Sequence, residues 1–389
     1  MTIDKDQKKR LEVFSDVCKK AESFCPINSL TLFRLKDDVL GVYALGNAQG
    51  GGNGIAEIKL DVKSKAPEDD FVVDLQKLVS AIKKVRNDEV VLKVEKSKVV
   101  VENPVKTKNF VSVVTHPRRK SDEISETETM IDSALSGPVF SGGIRVKMND
   151  VNRKILESFS ELTRVLDVND SVEVSSDAVR AADYLFIAKM EIDPDSISDR
   201  TFLFNRNVST VLKQVDDMTV SADGKYHFLK MGPLGIRILF QPKTPRWDFP
   251  KEEDVPDLCP ADDHRYVMNL KGADLISSVD QFSGMFDAQS CKYQQVKLDV
   301  SGGATFDVHF EDLATEMNEQ VDCEFVENST GLKDISIIVP TVHLTKMRDY
   351  LVDEKVGVFL NGKPIDETNG TAVLFRAGKL DLHVAKLLE

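Results

Sequence analysis

The chain has 389 residues and is poor in the side chains from which most active sites are built. Its five cysteines, Cys18, Cys25, Cys259, Cys291 and Cys323, are scattered and contain no C-x-x-C pair. That pattern excludes a secreted disulfide framework and a thiolate zinc site, and predicts inert thiols in a reducing compartment. The histidines His116, His227, His264, His309, His343 and His383 stand singly, so no metal-ligand spacing arises. The acid pairs Asp69-Asp70, Glu252-Glu253 and Asp262-Asp263 fall in loops or linkers and read as solvated acid. G-x-S-x-G, H-E-x-x-H, the phosphate loop and the dinucleotide fingerprint are all missing. Gly50-Gly51-Gly52-Asn53-Gly54 has no G-K-[ST] ending and opens no helix, so it reads as a flexible turn. No nucleophile, base and orienting group come together, and the expectation is a protein without catalysis, cofactor or metal. No apolar run approaches the roughly 20 residues of a membrane-spanning helix. No apolar secretory segment follows Met1-Thr2-Ile3-Asp4-Lys5-Asp6. A cytoplasmic protein without a membrane partner is expected.

What is present is a repeat. Residues 143–240 write one supersecondary pattern twice. In the first copy an alternating run, Ile144-Arg145-Val146-Lys147-Met148, precedes a helical spacing of Val151, Ile155, Phe159, Leu162 and Leu166. Three short alternating runs follow, at 171–174, 178–182 and 185–192. In the second copy a strand-like run at 201–204 precedes Val208, Val211, Leu212 and Val215, and runs at 218–220, 226–229 and 236–240 close it. The period switches from 2 to 3.6 and back, twice, in the same order.

The flanking sequence repeats that order. At the front, Leu11, Phe14, Val17, Cys18 and Ala21 stripe a helix over 4–24, strands are predicted at 30–35, 39–44 and 55–62, and the opening strand shrinks to Thr2-Ile3. A strand at 71–74 then leads into a helix over 75–86 with Leu75, Leu78, Val79, Ile82 and Val85, a hairpin turns at Lys96-Ser97, and 110–114 is a strand. At the back, the strand 265–270, the helix marked by Leu275, Ile276, Val279, Phe282 and Phe286, and strands at 296–300, 305–310 and 321–326 form one copy. The strand 335–339, a helix with Leu344, Met347 and Leu351, and strands at 356–360, 371–375 and 380–384 form the other. The expected class is α+β, with three domains that are each a doubled β-α-β-β-β unit. Composition shifts set their limits. Domain 1 spans 1–120, an acidic Ser/Thr-rich linker 121–142, domain 2 143–245, a linker rich in proline 246–264, and domain 3 265–389.

Net charge is −13, which argues against a general nucleic-acid coat and leaves room for DNA contact on one segregated face. Cations do concentrate on the predicted helices. Lys8, Lys9, Arg10 and Lys19 lie on the first, Lys77, Lys83, Lys84 and Arg86 on or beside the second with no acid between residues 75 and 86, and Arg153, Lys154 and Arg164 on the third. Lys213, Lys346 and Arg348 follow on later helices. Basic helices in an acidic protein fit a surface lined for phosphates.

Three local stretches carry a family resemblance. Ala181-Ala182-Asp183-Tyr184-Leu185-Phe186-Ile187-Ala188 is similar to the A-T-D-G-H-R-L-A strand of the bacterial-type DNA sliding clamp, the β subunit of the replicative DNA polymerase. Trp247-Asp248-Phe249-Pro250, followed by Val255-Pro256, resembles that family's F-P-D-Y segment and the V/I-L/I-P after it. Ile337-Ile338-Val339-Pro340-Thr341-Val342-His343-Leu344 resembles its F-N-x-x-Y strand-to-helix segment. With the repeat, the resemblance covers nearly the whole chain. Tyr184 in place of Gly, Leu185-Phe186 in place of His-Arg, a helix over 274–286 without a base, and an ending Val384-Ala385-Lys386-Leu387-Leu388-Glu389 instead of M-P-M-R-L mark a divergent or phage-encoded member.

The resemblance implies a mechanical function. Two chains would join head to tail as a homodimer, closing six domains into a ring with helices lining the hole and sheets outside. Double-stranded DNA would be held without sequence preference by the helix cations named above. The replicative polymerase and the clamp-loader ATPase would dock by short peptides in an apolar pocket lined by Leu185, Ile187, Pro250, Val255, Val384, Leu387 and Leu388. The setting would be the bacterial nucleoid or a phage-infected cell. Two alternatives stay open, a clamp-like processivity factor that does not close a ring and a β-rich scaffold with no DNA role.

Overall fold

The computed structural model describes residues 1–25, 27–46, 54–64, 69–105, 110–116, 141–164, 170–183, 185–242, 264–283, 295–301, 305–311, 316–325, 335–340, 342–361 and 372–385. The first third of the chain holds β1 (Thr2–Ile3), α1 (Lys5–Ala21), β2 (Ile27–Lys36), β3 (Val39–Gly46) and β4 (Gly54–Asp61), then β5 (Asp69–Asp74), α2 (Leu75–Lys84), β6 (Val90–Glu95), β7 (Lys98–Glu102) and β8 (Phe110–His116). The middle third holds β9 (Ile144–Val146), α3 (Asp150–Thr163), β10 (Ser171–Val174), β11 (Ala178–Ala182) and β12 (Phe186–Glu191). It continues with β13 (Phe202–Asn205), a 3-10 helix (Arg206–Gln214), β14 (Asp217–Val220), β15 (His227–Met231) and β16 (Ile236–Phe240). The last third holds β17 (His264–Lys271), α4 (Gly272–Ser283), β18 (Gln295–Ser301), β19 (Thr305–Glu311) and β20 (Glu316–Phe325). Its second half is β21 (Ile335–Pro340), α5 (Val342–Lys346), α6 (Arg348–Leu351), β22 (Lys355–Asn361), β23 (Ala372–Ala377) and β24 (Leu380–Ala385). Strand, helix, three strands therefore recurs six times.

The copies are interlocked in pairs. Every opening strand pairs antiparallel with the first meander strand of the other copy in its own third: β1 with β6, β5 with β2, β9 with β14, β13 with β10, β17 with β22 and β21 with β18. A helix between an opening strand and its own meander spans the gap that this exchange creates. Neither copy can complete its sheet alone.

The described residues divide into two compact units, residues 1–153 with 207–244, and residues 154–206 with 245–389. The first carries a 12-stranded sheet in the order β1-β6-β7-β8-β5-β2-β3-β4-β16-β15-β14-β9. The second carries a 12-stranded sheet in the order β13-β10-β11-β12-β24-β23-β22-β17-β20-β19-β18-β21. The middle third is shared out, because β16 ladders onto β4 from Ile236↔Ile58 to Phe240↔Gly54 and β12 ladders onto β24 from Phe186↔Val384 to Met190↔Leu380.

Local chemistry explains the element boundaries. Asp4 caps α1 through a capping box: its carboxylate accepts from the Gln7 amide at 2.9 Å, and its own amide donates to Gln7 Oε1 at 2.7 Å. Asp74 caps α2 by accepting from the Lys77 amide at 3.0 Å. The β2–β3 hairpin turns on Asp37 and Asp38, with φ of 51° and 59°, which is the two-residue turn whose twist matches the strands. Gly54 opens β4 because a Cβ there would lie 1.8 Å from Cys25 Sγ.

Two expected helices take a different form. The one marked by Val208, Val211 and Leu212 is a 3-10 helix, and Val215 lies beyond it, though all four are buried. Asn207, Ser209 and Thr210 compete for local hydrogen bonds, as Thr210 Oγ1 does by donating to the Asn207 carbonyl at 2.8 Å, and the β-branched Val208 and Val211 lose rotamer freedom in an α-helix. The last helix is broken at Met347 into α5 and α6. The cores are apolar and tight. Phe14, Phe33 and Phe240 are buried in the first unit, and Phe159, Phe204 and Phe375 in the second. Each such ring contributes about 1.5–3 kcal/mol on burial.

Candidate nucleic-acid interface

α2 turns Leu75, Leu78, Val79, Ala81 and Ile82 inward. What remains outward is Gln76, Lys77, Ser80, Lys83 and Lys84, a stripe of cations and neutral polar groups without an acid. Arg86, just past the helix, is also exposed. Lys83 lies 3.6 Å from Glu12 of α1, and Lys77 lies 3.8 Å from its own cap, Asp74. Lys84 and Arg86 have no ion-pair partner among the described residues. α1 buries Leu11, Phe14, Val17, Cys18 and Ala21 and exposes Lys9, Lys19 and Lys20, which likewise have no ion-pair partner among the described residues.

Two other cations of α1 are structural. Lys8 Nζ donates to the Val85 and Asn87 carbonyls at 3.3 and 2.6 Å, closing the C-terminal end of α2 where the helix dipole is negative. Arg10 donates to the Leu234 carbonyl at 3.2 and 3.1 Å and to the Lys59 carbonyl at 3.1 Å, fixing α1 to the sheet. A cleft of about 480 Å³ between the helices is lined by Lys8, Glu12, Lys83 and Arg86.

The remaining expected cations sit beside carboxylates or carbonyls. Arg153 is only 20% exposed and bonds Asp150 at 3.0 Å and the Val215 carbonyl at 2.8 Å. Lys154 pairs with Asp349 at 3.0 Å, and that hydrogen bond holds its ammonium above the usual lysine range. Glu161 receives Arg164 at 3.0 Å and Lys346 at 3.2 Å. Arg348 pairs with Asp280 at 2.7 Å. Lys213 is exposed. Arg206, absent from the sequence-based set, is buried and donates to the Thr163 carbonyl, and burial lowers its pKa. Position in the sequence carries no signal for these pairings, since Lys154 and Asp349 lie far apart along the chain.

Of the expected partner pocket, Ile187 and Val384 lie on the paired strands β12 and β24 but turn to opposite faces, because Ile187 is opposed to His383 and Val384 to Phe186, and both are buried. Leu185 precedes β12, and its amide donates to Asp183 at 2.6 Å. Pro250, Val255, Leu387 and Leu388 lie outside the described residues. The buried Asp183 carboxylate also accepts from the Phe186 amide at 3.0 Å, and it lies 3.9 Å from the buried His343, whose ring packs 4.6 Å from Phe186.

Two apolar features escaped the sequence reading. Phe110 and Val114 on β8 are 57% and 68% exposed. β8 is laddered to β7 along its length but meets β5 only at Thr115 and His116, so one edge is open from Phe110 to Val114 among the described residues. The signal was available: a strand with one buried face needs apolar residues only at alternate positions, yet Phe110, Val111, Val113 and Val114 are all apolar. In the last third, Leu270, Gly272, Ala273, Cys323 and Val352 line the floor of a groove of about 650 Å³ whose other lining residues include the charged Lys271, Asp322, Glu324, Asp353, Glu354 and Lys355. Gly272 is required there, because a Cβ would lie 1.7 Å from the Leu351 carbonyl oxygen.

Burial raises the Cys18 thiol well above its usual range and that of Cys25 to about 12, so both are protonated and unreactive. Among the described residues no three His, Cys, Asp or Glu side chains gather as a metal site. No helix among them is long and apolar enough to cross a membrane.

No family model matches the sequence, and no curated protein matches it. Solved structures do match in shape. The DNA polymerase sliding clamp of Pseudomonas aeruginosa superposes with a TM-score of 0.66 at 14% identity, over 100% of this chain and 99% of that one. A DNA polymerase III subunit beta sliding clamp from Bartonella birtlesii, bound to griselimycin, gives 0.68 at 13% identity over 100% and 99%. The Helicobacter pylori beta clamp bound to a DNA ligase peptide gives 0.66 at 9% identity over 100% and 99%. The chain therefore has the fold of the bacterial DNA polymerase sliding clamps, mixed α and β with antiparallel sheets, along its whole length.

Proposed function

We propose that the chain is a DNA sliding clamp, a processivity factor that encircles duplex DNA and tethers a replicative polymerase. Fold by itself does not assign function. The observation that carries the reading is a stripe of cations without an acid on α2, set in a full-length clamp fold whose net charge is −13. Contacts to phosphates alone hold DNA without reading its sequence, which is what a sliding protein requires. The activity is mechanical rather than enzymatic, and the setting is wherever replicating DNA lies.

In this reading 1–120, 143–245 and 265–389 are three clamp domains joined by the linkers 121–142 and 246–264. Two chains close the ring head to tail. The open β8 edge with Phe110 and Val114 supports this contact on one side, and the groove beside Ala273 and Val352, rimmed by charged residues such as Asp322 and Glu354, offers a counterpart on the other. Partner peptides, from the polymerase and from the clamp-loader ATPase, bind beside Pro250 and Ile187. The ligase peptide on the Helicobacter pylori clamp is the precedent for short-peptide docking on this fold.

The test is topological. The chain is loaded onto nicked circular DNA, the complex is isolated, and the circle is then cut once. Retention on the circle with release on linearisation is expected, and equal behaviour on the two forms would refute encirclement. In solution the mass should be twice the 43.4 kDa of one chain at micromolar concentration.

A further inference from the structure

We infer that the phosphate-contacting surface is concentrated on α1 and α2 of the first third, and that the helices of the last third stand off the DNA. The inference rests on the clamp reading and narrows it, since the repeat alone would give every helix the same part. Two independent observations support it.

The first is where free positive charge lies. Lys9, Lys19, Lys20, Lys84 and Arg86 are exposed and without an ion-pair partner among the described residues. On the later helices, Lys154, Lys346 and Arg348 each hold a carboxylate at 3.0, 3.2 and 2.7 Å, while Lys213 of the middle third is exposed with no ion-pair partner among the described residues. A phosphate that recruits one of these must displace Asp349, Glu161 or Asp280. The released carboxylate stays well inside the screening length of about 8–10 Å and repels the phosphate it made room for. A paired cation therefore adds little net attraction and releases few counterions on binding.

The second is α4 itself. It buries Leu275, Ile276, Ser278 and Val279 and exposes Asp274, Ser277 and Gln281, with Asp280 partly exposed. The helix has two acids and no base; Arg348 engages Asp280, which leaves Asp274 to give its outward stripe the sign opposite to that of α2. In a ring of two chains, DNA would be drawn to the two first thirds and not held evenly.

The experiment compares two variants of the full chain, K19A/K20A/K84A/R86A and K154Q/K346Q/R348Q. The probe is a fluorescently labelled blunt duplex, and anisotropy is followed as salt is raised from low concentration. The first variant should weaken binding about tenfold or more and lower the slope of log affinity against log salt by up to about four units. The second should bind within about twofold of wild type with an unchanged slope. Equal losses in the two variants, or a loss confined to the second, would overturn the inference while leaving the clamp reading in place. A wild-type chain that neither binds the duplex nor stays on circular DNA would overturn both. Thermal melting of each variant keeps loss of fold separate from loss of contact.

Discussion

α2 and α4 hold like places in the repeat. Each follows directly on an opening strand, Asp74 to Leu75 in one and Lys271 to Gly272 in the other. Each turns an apolar stripe into its own unit, Leu75, Leu78, Val79 and Ile82 against Leu275, Ile276 and Val279. Their outward stripes share serine and glutamine but differ in charge, cations without acid on α2 and acids without a base on α4. The inward stripe is fixed by packing, and a close-packed interior tolerates little change. The outward stripe touches only solvent or a partner, so its charge is free to follow function. A repeated fold can thus place six equivalent segments and still give them unequal parts.

The largest effect that bears on this comparison is structural. Leu78→Ala in α2 and Leu275→Ala in α4 should each destabilise the chain by about 2–5 kcal/mol, because both side chains are fully buried. Urea unfolding measures it. A near-zero change for either leucine would mean that the two helices are not equivalent as scaffolding. Phe110→Asp comes next, because it places a charge on the open edge of β8. Dimer association should weaken by about 2 kcal/mol or more, the range of an anchor residue, while the monomer keeps its melting temperature. Analytical ultracentrifugation reads the result, and an undiminished dimer would show that the ring closes elsewhere.

Asp74→Ala removes the α2 cap and should cost about 1 kcal/mol; it also frees Lys77 of a neighbouring carboxylate, so any change in DNA affinity should be a slight increase. A much larger cost would mean that the 3.8 Å Lys77–Asp74 contact also holds the helix. The smallest effect is expected from Arg348→Gln, which breaks the pair with Asp280. Both side chains are partly exposed, so the loss should be no more than about 1 kcal/mol. It does unmask Asp280 on α4, so any change in DNA affinity should be a slight decrease. An increase would contradict the repulsive role given to that helix.

Much of the fold was legible in the residues. Alternation such as Val90–Leu92–Val94 and helical spacing such as Leu75–Leu78–Val79–Ile82 are local consequences of backbone geometry, and they survive into the structure. The failures were local too. The Val208–Leu212 spacing is helical in period, but its Asn, Ser, Thr and Val residues settle in a 3-10 helix. At the candidate interface the sequence located the cations without telling free from engaged. Lys8 and Lys84 look alike in the chain, yet one closes a helix end through the Val85 and Asn87 carbonyls and the other faces outward.

The sequence by itself determined the order of the elements, the stripe each one buries and the total of positive and negative charge. These follow from steric period and side-chain chemistry, which act over a few residues. Only the tertiary structure decided that opening strands exchange between copies, that Lys154 meets Asp349, and that Phe110 is left at an open edge. Such pairings join segments far apart in sequence, and their stability depends on the whole set of ladders and packed faces forming together. The charge of a side chain is written in the chain; whether that charge is free for a phosphate depends on which carboxylate the fold brings beside it.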